Sequence, residues 1–375
     1  MSKRVMISAG EASGELYGAL LSREIRKKWP DAETIGIGGN RMKNEGVQLI
    51  ASMTSAIGIT ETIRHWREII NSFRKAKETL ISQKPDILIL IDYPDFNIAL
   101  AKKAKTAGIP ILYYVSPQVW AWRKGRVKKI ASLVNKIAVL FPFEIDIYKN
   151  TGLECEFVGH PIAELIDINH TKEELKEKLG IDTLKKVIAL LPGSRPAEIK
   201  KHQHLIIKVA EKIHNEFPDM QIIIPLVSGT NIDENIPDYI RIIYDRTNEA
   251  VACSEAAAVA SGTATLETAL LGIPMVVFYK VSPLTFFFAK LLVKVKFVSL
   301  VNILSGGEVV AELIQKNATA EKIFTELKRI LTDDKYRYNM ISKLQKIKEI
   351  MGRKTASSHV ASMAGKLAGW NSTSA

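Results

Sequence analysis

Two carboxylates stand directly after apolar runs that read as strands. Asp92 follows Ile87-Leu88-Ile89-Leu90-Ile91, and Glu11 follows the run Arg4–Ser8 by way of Ala9-Gly10. A carboxylate at the mouth of a sheet is partly desolvated, which raises its pKa and makes it a better proton acceptor. Asp92 is therefore favoured as the chemical group. Asp95, behind Pro94, suits a helix cap better. Glu11 belongs to Gly10-Glu11-Ala12-Ser13-Gly14. The glycines permit a tight turn, and the amides of a helix start there can hold an anion. A carboxylate repels phosphate, so Glu11 is better explained as a partner of sugar hydroxyls. The alternative is a plain turn between strand and helix.

Two later loops suit a nucleotide. In Leu191-Pro192-Gly193-Ser194-Arg195 the small residues bring backbone amides near a ligand, and the Arg195 fork matches a diphosphate. Glu198 either positions Arg195 or is an early-helix acid favoured by the dipole. In Ala260-Ser261-Gly262-Thr263-Ala264-Thr265-Leu266-Glu267 a strand ends and a helix begins. The amides of Gly262, Thr263 and Ala264 suit a phosphate. Glu267, one helical turn after Thr263, shares its face and can accept both hydroxyls of a ribose. No D-x-D closes a strand and no P-loop is present, so neither a metal nor another cofactor is expected. The histidines, His160 and His202 among them, read as surface or hinge positions.

Two stretches mix aromatics with bases. One runs Ser116-Pro117-Gln118-Val119-Trp120-Ala121-Trp122-Arg123, where Ser116 and Gln118 are candidate sugar contacts. The other, residues 281–302, carries Phe286, Phe287, Phe288, Lys290 and Lys294 and ends at Asn302, a further candidate sugar contact. Lys290 and Lys294 share a helical face, and three consecutive phenylalanines cover more than one face, as at a membrane interface. A core helix with outward-snorkelling lysines is the alternative.

The elements that must position these loops alternate. Strand-like runs end in Gly, Pro, Ser or Asp and amphipathic stretches follow: Arg4–Ser8, Thr34–Gly36, Ile87–Ile91, Ile111–Val115 and Lys136–Leu140, then Val187–Leu191, Gln221–Ile224, Arg241–Ile243, Ala257–Ala260 and Met275–Phe278. Continuous apolar runs of this length suit buried parallel strands, so the pattern predicts an α/β fold of two doubly wound sheets with a boundary near Pro161–Lys172. The length of 375 residues, with 47% apolar and 25% charged, suits about two domains. The excess of Lys+Arg (52) over Asp+Glu (40) leaves +12, which favours nucleic acid, phosphorylated small molecules or an anionic membrane face. Two distant cysteines exclude a disulfide framework and a cysteine-rich zinc site. Neither a signal peptide nor a spanning run is read, so a cytoplasmic protein is expected.

Taken in order, the loops at Gly10–Gly14, Ile91–Asn97, Val115–Arg123, Phe157–Pro161, Leu191–Arg195 and Ala260–Glu267 resemble the lipid A disaccharide synthase family over nearly the whole chain. Glu15 departs from the family's usual Asp. The resemblance implies a GT-B fold, with Rossmann-like domains at residues 1–165 and 166–352, a cleft between them, and a C-terminal helix in 353–375 returning to the first. It implies an inverting transfer from UDP-2,3-diacylglucosamine to 2,3-diacylglucosamine 1-phosphate, with Asp92 or Glu11 as base. Gly193, Ser194, Arg195, Gly262, Thr263, Ala264 and Glu267 would hold UDP. Ser13, Gly14, Ser116, Gln118 and Asn302 would meet sugar. Peripheral association with the anionic inner leaflet of the inner membrane would follow, through Phe286–Phe288 and the lysines. Two competing classes are a UDP-sugar 2-epimerase of the same fold and a basic nucleic-acid-binding protein. The strand-end acids argue against the second.

Overall fold

The computed structural model describes residues 3–52, 59–117, 125–166, 169–233, 235–281, 296–352 and 355–370, with Ala12 and residues 59–65 described by backbone alone. Gln118, Trp120, Trp122 and Arg123 lie outside the described residues, as do Phe286, Phe287, Phe288, Lys290 and Lys294. The chain divides into two compact units, Met1–Pro161 with Lys354–Ala375, and Ile162–Arg353.

The first unit holds β1 (Arg4–Ala9), β2 (Glu33–Gly38), β3 (Gln48–Ser52), β4 (Ile87–Ile91), β5 (Ile111–Tyr114), β6 (Lys136–Val139) and β7 (Glu154–Phe157). Their order in the sheet is β3-β2-β1-β4-β5-β6-β7, and every neighbouring pair is parallel. Five consecutive buried residues in β4 explain why its sequence does not alternate: both faces of the strand are covered. On one face Met6, Leu88, Leu90, Ile111, Tyr113 and Val139 meet Ala76 and Leu80 of the helix Ile59–Gln83, and Leu100 and Ala104 of the helix Pro94–Thr106. Each fully buried Ile or Leu contributes roughly 1.5–3 kcal/mol relative to exposure.

The helix Ala356–Leu367 belongs to this unit and packs on the helix Ala12–Lys28. Trp29 and Trp370 meet edge to face at 5.3 Å, and a Cβ added at Gly365 would drive into the Trp29 ring. Trp370 Nε1 donates to Asp86 Oδ2 at 3.1 Å, the same oxygen that accepts the Arg4 amide at 2.8 Å.

The second unit holds β8 (Val187–Leu191), β9 (Gln221–Leu226), β10 (Ile240–Tyr244), β11 (Ala256–Ala260), β12 (Met275–Tyr279) and β13 (Glu312–Ile314). The order is β10-β9-β8-β11-β12-β13, again all parallel. The strands absent from the sequence reading are β3, β7 and β13. Each lies at a sheet edge, and none carries an apolar run longer than three residues. Among the described residues no helix is long and apolar enough to cross a membrane.

Candidate active site

Each sheet reverses its strand order at one place, and ligands in open parallel sheets bind outside the carboxyl ends of the strands there. In the first unit the reversal falls between β1 and β4, which run side by side with Ala9 opposite Ile91. The Glu11 loop and the Asp92 loop therefore leave the sheet next to each other. In the second unit it falls between β8 and β11, so the Arg195 loop and the Gly262–Thr263 loop are neighbours in the same sense.

Asp92 and Tyr93 are both left-handed, with φ of 48° and 45°. Val115, just beyond the neighbouring strand β5, has φ 67°. Such conformations cost of order 1–3 kcal/mol each in residues other than glycine and persist only where the surroundings enforce them. Here the enforcement is visible. The Asp92 carbonyl accepts hydrogen bonds from Asn97 Nδ2 at 2.7 Å and from the Tyr113 hydroxyl at 2.8 Å. Asn97 Nδ2 also lies 3.2 Å from the Ile91 carbonyl, and Asn97 Oδ1 accepts from Ser8 Oγ at 2.7 Å. Ser8 and Asn97 are fully buried. One buried clamp from β1, β5 and the helix Pro94–Thr106 thus holds the Asp92 peptide.

The Asp92 carboxyl is pushed up to about 7, first by burial and then by the negative charge of Glu11, against a hydrogen bond from the Tyr93 amide. Glu11 occupies the N-cap position of the helix Ala12–Lys28 in extended conformation, yet its side chain makes no capping bond. Tyr93 stacks on Phe96 at 5.2 Å, and its ring lies where a Cβ at Gly10 would go, so the glycine admits the ring across the loop.

In the second unit Gly193 (φ 128°) turns the chain, and a Cβ there would come within 2.8 Å of Glu198. Arg195 is the N-cap residue of the helix Pro196–Glu216 and is exposed. Glu198 faces Arg195 at 3.5 Å and accepts the Ser194 amide at 3.3 Å, so it does both jobs weighed for it. Gly262 (φ 155°) opens the helix Thr263–Leu270 and leaves Thr263 exposed. Glu267 is half-buried, and burial pushes its carboxyl up to about 7. His202 is buried between Pro192 and Lys280. Its Nδ1 lies 2.6 Å from the Pro192 carbonyl, and its Nε2 accepts the Lys280 amide at 3.3 Å. It ties the end of β8 to the end of β12.

Several expectations need correction. Asn302 is fully buried, and its carboxamide is spent on the chain itself. It donates to the Val310 carbonyl (2.9 Å) and Glu312 Oε1 (2.8 Å) and accepts from the amides of Val309 (2.7 Å) and Val310 (3.1 Å). An amide with two donors and two acceptor sites has nothing left for a sugar. Ser116 is buried with its hydroxyl 2.8 Å from that of Tyr148. Gly14 is buried against Ile91, so it packs the helix on the sheet. Ser13 sits half-buried in the first turn of the same helix. Asp95 does not cap its helix: Tyr93 occupies that position, and Asp95 pairs with Arg126. Glu15 accepts the Arg41 amide at 2.8 Å, a scaffolding task. Of the surface-or-hinge reading of the histidines, the surface half fails for His160 and His202, which are buried; His160 adjoins the unit boundary after Pro161, and burial lowers its imidazole to about 3. Among the described residues no cluster of three or more His, Cys, Asp or Glu could hold a metal.

The clamp residues Ser8, Asn97 and Tyr113 were not assigned a role from sequence. The available signal was Asn97 itself, a polar residue in the otherwise apolar run Phe96–Ala101.

Comparison with known proteins decides the lineage. The model of the lipid-A-disaccharide synthetase family matches residues 5–365. The chain belongs to that family. A lipid-A-disaccharide synthase of Trichlorobacter lovleyi is 41% identical over 358 residues, 93% of this chain and 94% of that protein. Two solved structures share the fold at low identity. A UDP-GlcNAc 2-epimerase from Neisseria meningitidis bound to UDP-GlcNAc has a TM-score of 0.64 at 12% identity, covering 97% of this chain and 100% of its own. The calicheamicin glycosyltransferase CalG4 also has 0.64 at 12%, covering 98% and 99%. The GT-B expectation and the glycosyltransferase reading are borne out, and the epimerase alternative is not favoured.

Proposed function

We propose that the chain joins UDP-2,3-diacylglucosamine to 2,3-diacylglucosamine 1-phosphate with inversion at the anomeric carbon. The observation that carries the residue assignment is Asp92, a carboxyl raised to about 7 on a clamped, left-handed backbone beside Glu11. A base poised near neutrality combines a useful deprotonated fraction with real basicity. Asp92 takes the proton of the acceptor's primary hydroxyl as its oxygen bonds to the donor's anomeric carbon. The bond from that carbon to the diphosphate breaks, and UDP leaves with the electron pair. Arg195 and the amides at Gly262, Thr263 and Ala264 meet the growing charge, while Gly193 and Ser194 let the diphosphate approach. Glu267 accepts the ribose hydroxyls. Glu11 raises the basicity of Asp92 and orients sugar hydroxyls, with Ser13 beside it.

Phe286–Phe288, Lys290 and Lys294 are assigned to the anionic inner leaflet on composition. Each Lys or Arg near such a surface contributes roughly 1 kcal/mol.

Asp92→Asn tests the base. Turnover of the UDP-diacylglucosamine and acceptor pair is expected to fall about 10²–10⁴-fold while UDP affinity stays within twofold. Wild-type turnover in the variant would remove Asp92 from the role.

A further inference from the structure

A cavity of about 250 Å³ opens in the first unit beside the Asp92 loop, lined mostly by residues with no role so far. Phe73 and Ile98 are among its apolar residues, and Lys102, Lys103, Arg126 and Lys129 supply its charge. Asp95 is the one acid in the lining, and it is paired with Arg126. Four cations thus face one carboxylate.

Other cations of this unit are matched by acids. Arg23 and Arg26 share Glu45, Lys136 lies between Glu154 and Glu156, and Lys3 and Arg4 each have an acid. Among the described residues Lys102, Lys103 and Lys129 have no acidic partner. Arg126 keeps donors beyond its pair with Asp95, since a guanidinium carries five. Apolar side chains amid cations match an amphiphile whose head is a dianionic oxyanion. Arg and Lys together suit phosphate, one by its fork and the other as a mobile point charge.

The cavity is also placed with respect to the proton acceptor. Asp95 is three residues after Asp92, hence at most about 10 Å away. Asp95, Ile98, Ala99 and Lys102 follow at helical spacing on one face of the helix Pro94–Thr106, which carries the groove about 10 Å farther along the helix axis.

We propose that this groove receives the phosphate of the acceptor, the sugar phosphate whose hydroxyl Asp92 deprotonates. The inference rests on the function proposed above and adds the subsite that orients the acceptor. A phosphate held by Lys102, Lys103, Arg126 and Lys129 keeps the acceptor's hydroxyl end toward Asp92. The lysines add no bond-making step; they fix position and charge.

The test is equilibrium binding in neutral detergent micelles, with 2,3-diacylglucosamine 1-phosphate and its dephosphorylated counterpart as probes. The wild type is expected to prefer the phosphorylated probe by about tenfold or more, a preference that falls as salt rises. The double variant Lys102→Ala/Lys129→Ala should lose most of that preference while binding the dephosphorylated probe and UDP as the wild type does. Lys102→Arg/Lys129→Arg should keep it. A preference that survives in the alanine variant overturns the proposal. A bilayer phospholipid is the other source of the same headgroup chemistry. If the alanine variant loses sedimentation with phosphatidylglycerol vesicles but keeps its phosphate preference, the groove serves the bilayer and the proposal fails. Should the wild type bind the phosphorylated probe selectively yet never turn it over with the UDP donor, the groove stands and the proposed function falls.

Discussion

The two strand-order reversals solve the same backbone problem with different residues. Beyond β8 and β11 the positive φ values belong to Gly193 and Gly262. Beyond β4 they belong to Asp92 and Tyr93, and beyond β5 to Val115. Glycine adopts that region without strain but offers no side chain. It suits a loop whose backbone amides meet the ligand. An aspartate there carries strain, and the side chain is what the strain presents. The other left-handed non-glycine residues, Lys84, Asp245 and Gln315, lie before β4 or after the outer strands β10 and β13, away from both reversals. The first pair of loops presents a carboxylate, and the second leaves main-chain amides and an exposed arginine at the strand ends. The clamp of Asn97, Tyr113 and Ser8 is the structural counterpart of that difference, because a strained presenting residue needs holding and a glycine does not.

The comparison breaks if chemistry and nucleotide affinity move together. Asp92→Asn should remove turnover alone, with the magnitude given above. Arg195→Ala should do both: UDP affinity falls, and kcat falls about 10²–10³-fold as a transition-state donor is lost. Equal losses of UDP affinity in the two variants would erase the division of labour. Asn97→Ala sharpens it next. The Asp92 carbonyl loses one of its two donors, so kcat should drop about tenfold and the acid limb of the pH profile should move, with about 1–3 kcal/mol of stability lost. A stability loss with an unmoved profile would make Asn97 a packing residue only.

The smallest effect concerns pH. As pH rises through about 7, Asp92 loses its proton and the rate should climb. Glu11→Gln removes a negative neighbour and should shift that limb to lower pH. Burial, the larger cause, still keeps it above the ordinary carboxylate range. Folding carries the opposite sign. The folded state holds the Asp92 proton more tightly than the unfolded state, whose pKa is near 3.9, so stability falls as pH rises from about 4 to about 7. Asp92→Asn should therefore melt above the wild type at pH 8 and show no such advantage at pH 4. An acid limb well below 6 in the wild type would contradict the assignment.

The central strands were readable because burial on both faces writes a continuous apolar run, as in Ile87–Ile91 and Val187–Leu191. The edge strand Glu154–Phe157 lacks that covering and alternates charge with apolar residues, so no run marks it. The chemical loops were readable for a related reason: a residue placed after a central strand must lie at the mouth of a parallel sheet. What joins distant segments was not readable. Ser8, Asn97 and Tyr113 are brought together only by the pairing of β4 with β1 and β5 and by the following helix. Asn302 misled for the converse reason, since a polar residue in Val301-Asn302-Ile303 gives no local hint that Val309, Val310 and Glu312 enclose it. The cationic groove has the same origin: the lysines of Pro94–Thr106 and Gly125–Ala131 are ordinary helix-surface residues until the two helices are set side by side.

The Ala356–Leu367 helix carries a consequence for how the chain is made. The unit that bears Asp92 is discontinuous, with its last helix and Trp370 covering Trp29. Synthesis proceeds from the N-terminus, so the whole of Ile162–Arg353 emerges before that cover exists. The second unit is complete in sequence first, and the unit that bears Asp92 must wait, open over Trp29, until the closing residues leave the ribosome.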